Sequence, residues 1–118
     1  MDVISLAERF SRISDHWQPR IIGAVNSFHV KIVKIQGEFI WHHHGTEDEL
    51  FLVIKGRLLM RLRDGDVWVN EGECLIVPHG VEHCPVAPEE VHMMMFEPAT
   101  TLNTGTVQNE RTVEAKWL

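Results

Sequence analysis

Apolar residues first recur at three- and four-residue steps, at Val3, Leu6, Ala7, Phe10 and Ile13, which predicts a short amphipathic helix over residues 2–13. Asp15 to Pro19 ends it. From Arg20 onward the helical period is lost, and short runs rich in Val, Ile, Phe and Trp are separated by closely spaced turn signals, the pattern of an all-β sandwich or barrel. Those signals are Asn26-Ser27, Gly37, Gly45-Thr46, Gly56, Asp64-Gly65, Asn70-Glu71-Gly72, Pro78-His79-Gly80 and Pro85 to Pro88. Asp64-Gly65 is the firmest, because a two-residue hairpin turn needs positive φ and glycine supplies it without steric cost. The pattern divides the chain into a helix and arm over 1–19, a β body over 20–98 and a C-terminal arm over 99–118, within which 100–106 reads as loop.

Successive residues of a strand point to opposite faces. Ile40, His42 and His44 therefore share one face, and Phe39, Trp41 and His43 the other. Further on, Glu49, Phe51 and Val53 alternate with Leu50, Leu52 and Ile54, so both faces of that strand are apolar. One is expected inside the barrel, and the other is a candidate subunit interface of a homodimer.

With 118 residues, 44% of them apolar, the chain has room for one domain with a real core. Seventeen acidic against eleven basic side chains give a formal charge of -6, which argues against nucleic-acid and anionic-membrane partners. The single helix is also too short for a helix-turn-helix. The longest apolar runs, Phe51 to Ile54 and Met93 to Phe96, fall far short of the about 20 residues a membrane span needs. Asp2, Glu8 and Arg9 stand where a signal peptide would be apolar, so a cytoplasmic location is expected. Cys74 and Cys84 are too few for a disulfide framework. A hairpin centred on His79 would set them opposite each other as two reduced packing thiols.

Five of the eight histidines fall in two places, and there the chemistry concentrates. His42 and His44 project from one strand face, and the short loop 45–48 can return the chain so that Glu49 faces them. His83 comes from a different hairpin, just after the Pro78-His79-Gly80 turn. Neutral imidazoles plus one carboxylate suit one divalent transition metal such as Mn, Fe, Co, Ni or Zn. Four protein ligands saturate a tetrahedral zinc site but leave two positions open on an octahedral ion, so reactivity favours the octahedral metals.

The spacings Gly37-x4-His42-x-His44-x4-Glu49-x6-Gly56 and Gly72-x5-Pro78-x-Gly80-x2-His83 resemble the two motifs of the cupin superfamily, in order. There is one residue fewer than usual before the first histidine, and Ala87 stands where the second motif often has Asn; neither departure removes a ligand. The resemblance implies an antiparallel jelly-roll barrel, a double-stranded β-helix, with the metal near one open end, a small-molecule ligand and frequent dimers. It leaves the reaction open among dioxygenase, isomerase, lyase and noncatalytic binding roles. The chain has no tyrosine, which removes the His-Tyr pair of sugar-nucleotide epimerase cupins and the Cys-Tyr crosslink of thiol dioxygenases. The three-histidine, one-glutamate set looks like that of the oxygenase and oxalate-type cupins.

Outside the ligand set, His92 shares strand parity with Met94 and Phe96 and reads either as a satisfied structural histidine or, as the one candidate catalytic group, a proton carrier reaching the barrel interior. His43 is expected on the outer face and His79 in solvent, while Met60, Met93, Met94 and Met95 read as core or interface filler. Arg57, Arg61 and Arg63 alternate with apolar neighbours, as one solvated face or as partners for a substrate carboxylate.

Overall fold

The computed structural model describes residues 1–118. Helix α1 spans Leu6–Ser11, shorter than the periodicity predicts. Ser5 caps it, its hydroxyl accepting from the Glu8 N–H at 3.2 Å. Val3 is fully exposed, whereas Phe10 and Ile13 are buried and Leu6 packs against them, so the apolar stripe is used from Leu6 onward.

Eight strands follow: β1 (Arg20–Val25), β2 (Phe28–Glu38), β3 (Glu49–Lys55), β4 (Arg57–Leu62), β5 (Val67–Asn70), β6 (Cys74–Val77), β7 (His83–Pro98) and β8 (Lys116–Trp117). The hydrogen-bonded order is β5-β4-β7-β2-β1-β8, with β3 joined to both β7 and β6. Every pair is antiparallel except β1 with β8. The all-β jelly-roll expectation therefore holds, as an open rather than closed sheet. The β4–β5 connection is four residues long, Arg63 to Asp66, rather than a two-residue turn at Asp64-Gly65: the Gly65 N–H donates to the Leu62 carbonyl at 3.2 Å, which centres the turn on Arg63-Asp64, and Gly65 follows it at φ 139°.

Long strand β7 is the spine. It pairs with β2 along most of its length, with β4 through His83 to Val86, and with β3 through His92 to Phe96. The turn expected at Pro85 to Pro88 is absent; the strand runs through it, and the slip in register opposite Ile35 and Gly37 leaves Pro88 to Glu90 exposed as a bulge. The Pro78-His79-Gly80 turn links β6 to β7, but these two strands do not pair, so it closes no hairpin. Cys74 consequently lies exposed opposite Leu52, and Cys84 buried opposite Arg61, rather than facing each other.

Two apolar clusters result. The interior one includes Val33, Ile35, Phe51, Val53, Met93 and Met95, inward-facing positions of β2, β3 and β7. The second gathers Phe10, Ile13, Ile22 and Ile32 under α1, with Ile54 and Met94 packed against it. Full burial of side chains such as Ile35 and Val53 contributes roughly 1.5–3 kcal/mol each. Part of the outer face of β3 is thus covered by the chain's own helix, while Leu50 and Leu52 stay half-buried.

Candidate metal centre

His42, His44, Glu49 and His83 are all buried, and their ligand atoms lie within 4.8 Å of one another. The local framework differs from a simple hairpin. Residues 39–48 are irregular apart from His42, which forms an isolated bridge with His83 through backbone bonds of 3.1 and 2.9 Å. Strands β2 and β3 do not pair with each other; the loop between them is strapped instead by Gly80 N–H to the His44 carbonyl at 2.8 Å and Thr106 N–H to the His43 carbonyl at 3.2 Å. Alternation still puts His42 and His44 inside and leaves His43 half-buried.

Hydrogen bonds set two of the imidazoles. The Nδ1 atoms of His42 and His83 lie 2.9 and 2.8 Å from the carbonyls of Ile40 and Val81. A ring nitrogen facing a carbonyl carries the proton, so both Nε2 atoms are left with a free lone pair. His44 Nε2 and His83 Nε2 approach Glu49 Oε1 at 2.8 and 3.3 Å, yet all three buried atoms lack an aligned hydrogen bond. Buried polar atoms are almost always paired, so three such orphans aimed at a common point fit a shared cation.

Burial, aided by the neighbouring His83, pushes the His42 pKa down to about 4, so its ring is neutral at pH 7. For Glu49 burial acts upward, but contacts with Glu97, His44 and His83 outweigh it and hold the carboxyl below the usual range. A neutral imidazole and an ionised carboxylate are the forms that bind metals.

The cluster opens through His42 and Glu49 onto a pocket of about 50 Å³ that is open to solvent. Val33, Ile35, Phe51, Met93 and Met95 form an apolar wall, and Lys31, Glu97 and Thr101 a polar one. Trp17 and Pro19 from the N-terminal segment and Asn103, Val113 and Ala115 from the C-terminal segment complete it. Both arms are therefore part of the site.

The family model for the cupin domain matches residues 29–97, more than half of the chain. The chain belongs to the cupin family. A cupin-2 domain containing protein from Shewanella frigidimarina NCIMB 400, of known crystal structure, is 43% identical with a TM-score of 0.80, covering 81% of this chain and 94% of that one. Protein NMB1881 from Neisseria meningitidis is 30% identical with a TM-score of 0.76, covering 82% and 99%. The uncharacterized protein YdbB of Bacillus subtilis (strain 168) is 38% identical over 63 residues, which span 52% of this chain and only 56% of that relative.

Several expectations change against this cupin framework. His92 does not reach the interior: it stacks on Phe10 of α1 at 4.7 Å and lies 3.2 Å from Glu90 on the outer face. The reason is parity, because His83, Met93, Met95 and Glu97 are the inward set of β7 and His92 belongs to the alternate one. The same count by twos from His83 would have singled out Glu97, the buried acidic residue missed by sequence reading. The arginines bind no part of the pocket either. Arg57 lies over Trp68 at 3.7 Å, Arg63 over Trp41 at 3.8 Å, and Arg61 pairs with Glu38 at 3.1 Å.

Proposed function

We propose that this cupin holds one divalent transition metal through His42, His44, Glu49 and His83, and acts on a small oxygenated molecule bound in the adjoining pocket by dioxygenase-, isomerase- or lyase-type chemistry. The observation that carries the reading is the convergence of three buried, unpaired ligand atoms beside a pocket with an apolar wall. A bound divalent ion would supply Lewis acidity toward a ligand oxygen. The chain's own residues set the rest: the carbonyls of Ile40 and Val81 orient two imidazoles, and the apolar wall excludes water from the ligand's body.

A second reading, in which the ion anchors a ligand without turnover, is favoured by the outward placement of His92, which leaves the pocket no histidine beyond the ligand set. Metal analysis of protein purified without an affinity tag, followed by oxygen-electrode assays on small diols, enols and acids, tests both. One equivalent of metal with ligand-dependent oxygen uptake is expected for a dioxygenase. Flat electrode traces with metal present would shift the assignment to redox-neutral chemistry or to binding alone, and failure to take up any divalent ion would end the metal reading.

A further inference from the structure

The polar wall of the pocket extends the metal reading, on which it rests, to the ligand. Lys31 Nζ lies 2.9 Å from Glu97 Oε1 and donates to the Thr101 carbonyl at 3.2 Å, and the two charged side chains are 4% and 3% exposed. A buried ion pair contributes little net stability, since the desolvation of both charges offsets their attraction, and two apolar residues would hold the wall as well. After this pairing, Glu97 Oε2 and Thr101 Oγ1 remain buried without any partner. Both residues line the pocket, and the Glu97 carboxyl adjoins that of Glu49. Unpaired oxygens therefore line the same pocket as two of the metal-binding residues, His42 and Glu49.

We infer that this wall selects a hydroxyl: the ligand is a small, neutral, largely apolar molecule carrying two oxygens, one directed to the metal site and the other, a hydroxyl, to Glu97 and Thr101. A hydroxyl both donates and accepts, so it satisfies a carboxyl oxygen and a threonine hydroxyl together, whereas an ether only accepts. A carboxylate in that position only accepts, and it would add charge beside Glu97 and Glu49. The Lys31 ammonium is already engaged by Glu97 Oε1 and the Thr101 carbonyl. The hydrocarbon body lies against Val33, Ile35, Phe51, Met93 and Met95.

The test uses the full chain loaded with Co(II), whose visible absorption reports both metal stoichiometry and ligand binding without turnover. Catechol, its monomethyl ether guaiacol and salicylate are titrated against the wild type, a Lys31→Met/Glu97→Met double variant that removes the pair without stranding a charge, and Thr101→Val. Dividing the wild-type preference for catechol over each analogue by the variant's preference cancels the intrinsic affinities for cobalt. Expected is a quotient of about tenfold or more for the double variant and about threefold for Thr101→Val, the loss of one hydrogen bond or more. Quotients within about twofold of unity, or a wild type that gains affinity for salicylate relative to the variants, overturn the inference and leave the metal reading standing. Should the double variant not fold, the Thr101→Val quotient decides by itself. A wild type that takes up no Co(II) overturns the metal reading, and this inference with it.

Discussion

Two carboxylate–imidazole clusters lie on opposite faces of β7, and they differ in almost everything except their distances. Inside, Glu49 sits 2.8 and 3.3 Å from His44 and His83; outside, Glu90 sits 2.7 and 3.2 Å from His16 and His92. The outer contacts are hydrogen bonds between partly exposed side chains, and those from His16 and His92 hold the Glu90 carboxyl below the usual range. The inner atoms are buried and unpaired. Proximity of a carboxylate to histidines is thus no mark of a metal site; burial with unmet bonding capacity is.

The sharpest way to break this comparison is to remove one histidine from each face. Outer-shell partners of a metal typically cost 10–100-fold in affinity, and His83→Ala, which removes a ligand itself, should cost about 10⁴-fold by calorimetry, roughly 5.5 kcal/mol. His92→Ala should leave metal affinity unchanged, and a comparable loss there would erase the distinction. Next in size, Glu97→Ala strands the Lys31 ammonium and should destabilise the fold by about 3–5 kcal/mol in urea unfolding, while the Lys31→Met/Glu97→Met double variant should lie within about 1 kcal/mol of wild type.

The pH response follows from His42. Its folded pKa of about 4 lies below the ordinary value of 6.5, so between these limits the unfolded chain binds a proton that the folded chain does not. Stability from this group is present above pH 6.5 and lost as pH falls toward 4, on the order of 3 kcal/mol for the metal-free protein. The raised Glu97 pKa, caused by burial and the neighbouring Glu49, acts in the opposite sense. It is common to wild type and His42→Asn, so the difference between their pH–stability curves isolates His42; parallel curves would sink the assignment. A smaller effect is expected at Gly105, where φ is +59° and an added Cβ would collide with the His43 carbonyl oxygen. Gly105→Ala should cost about 2 kcal/mol and weaken metal binding by displacing the His44 loop. Smallest of all, Glu90→Gln, which keeps a side chain able to hydrogen-bond, should change stability by less than about 1 kcal/mol, the range of surface polar contacts.

Much of this was legible in the chain because it depends on local rules. Glycine and asparagine at positive φ mark turns, and His-x-His alternation places His42 and His44 on one side even though residues 39–48 form no regular strand. What escaped depends on long-range pairing. Nothing near Pro85 to Pro88 says that pairing with β2 and β4 carries β7 on past two prolines, with a bulge at Pro88 to Glu90, and that continuity is what fixes the parity of His92 and Glu97. The failed opposition of Cys74 and Cys84 has the same origin, since strand partners are chosen across the whole sheet. The role of the arms was equally hidden, because a few lining residues between 101 and 115 carry no periodic signal.

The outlying position of those arms has a consequence for how such a protein can be altered. The four ligands fall between 42 and 83, inside the matched span 29–97, whereas Trp17, Pro19, Thr101, Asn103, Val113 and Ala115 lie beyond it and still shape the pocket. The ligand set and part of the pocket's shape are therefore carried by different stretches of chain, and altered termini that keep the Thr106 N–H bond to the His43 carbonyl are a route to new ligand preferences on the same ion cage.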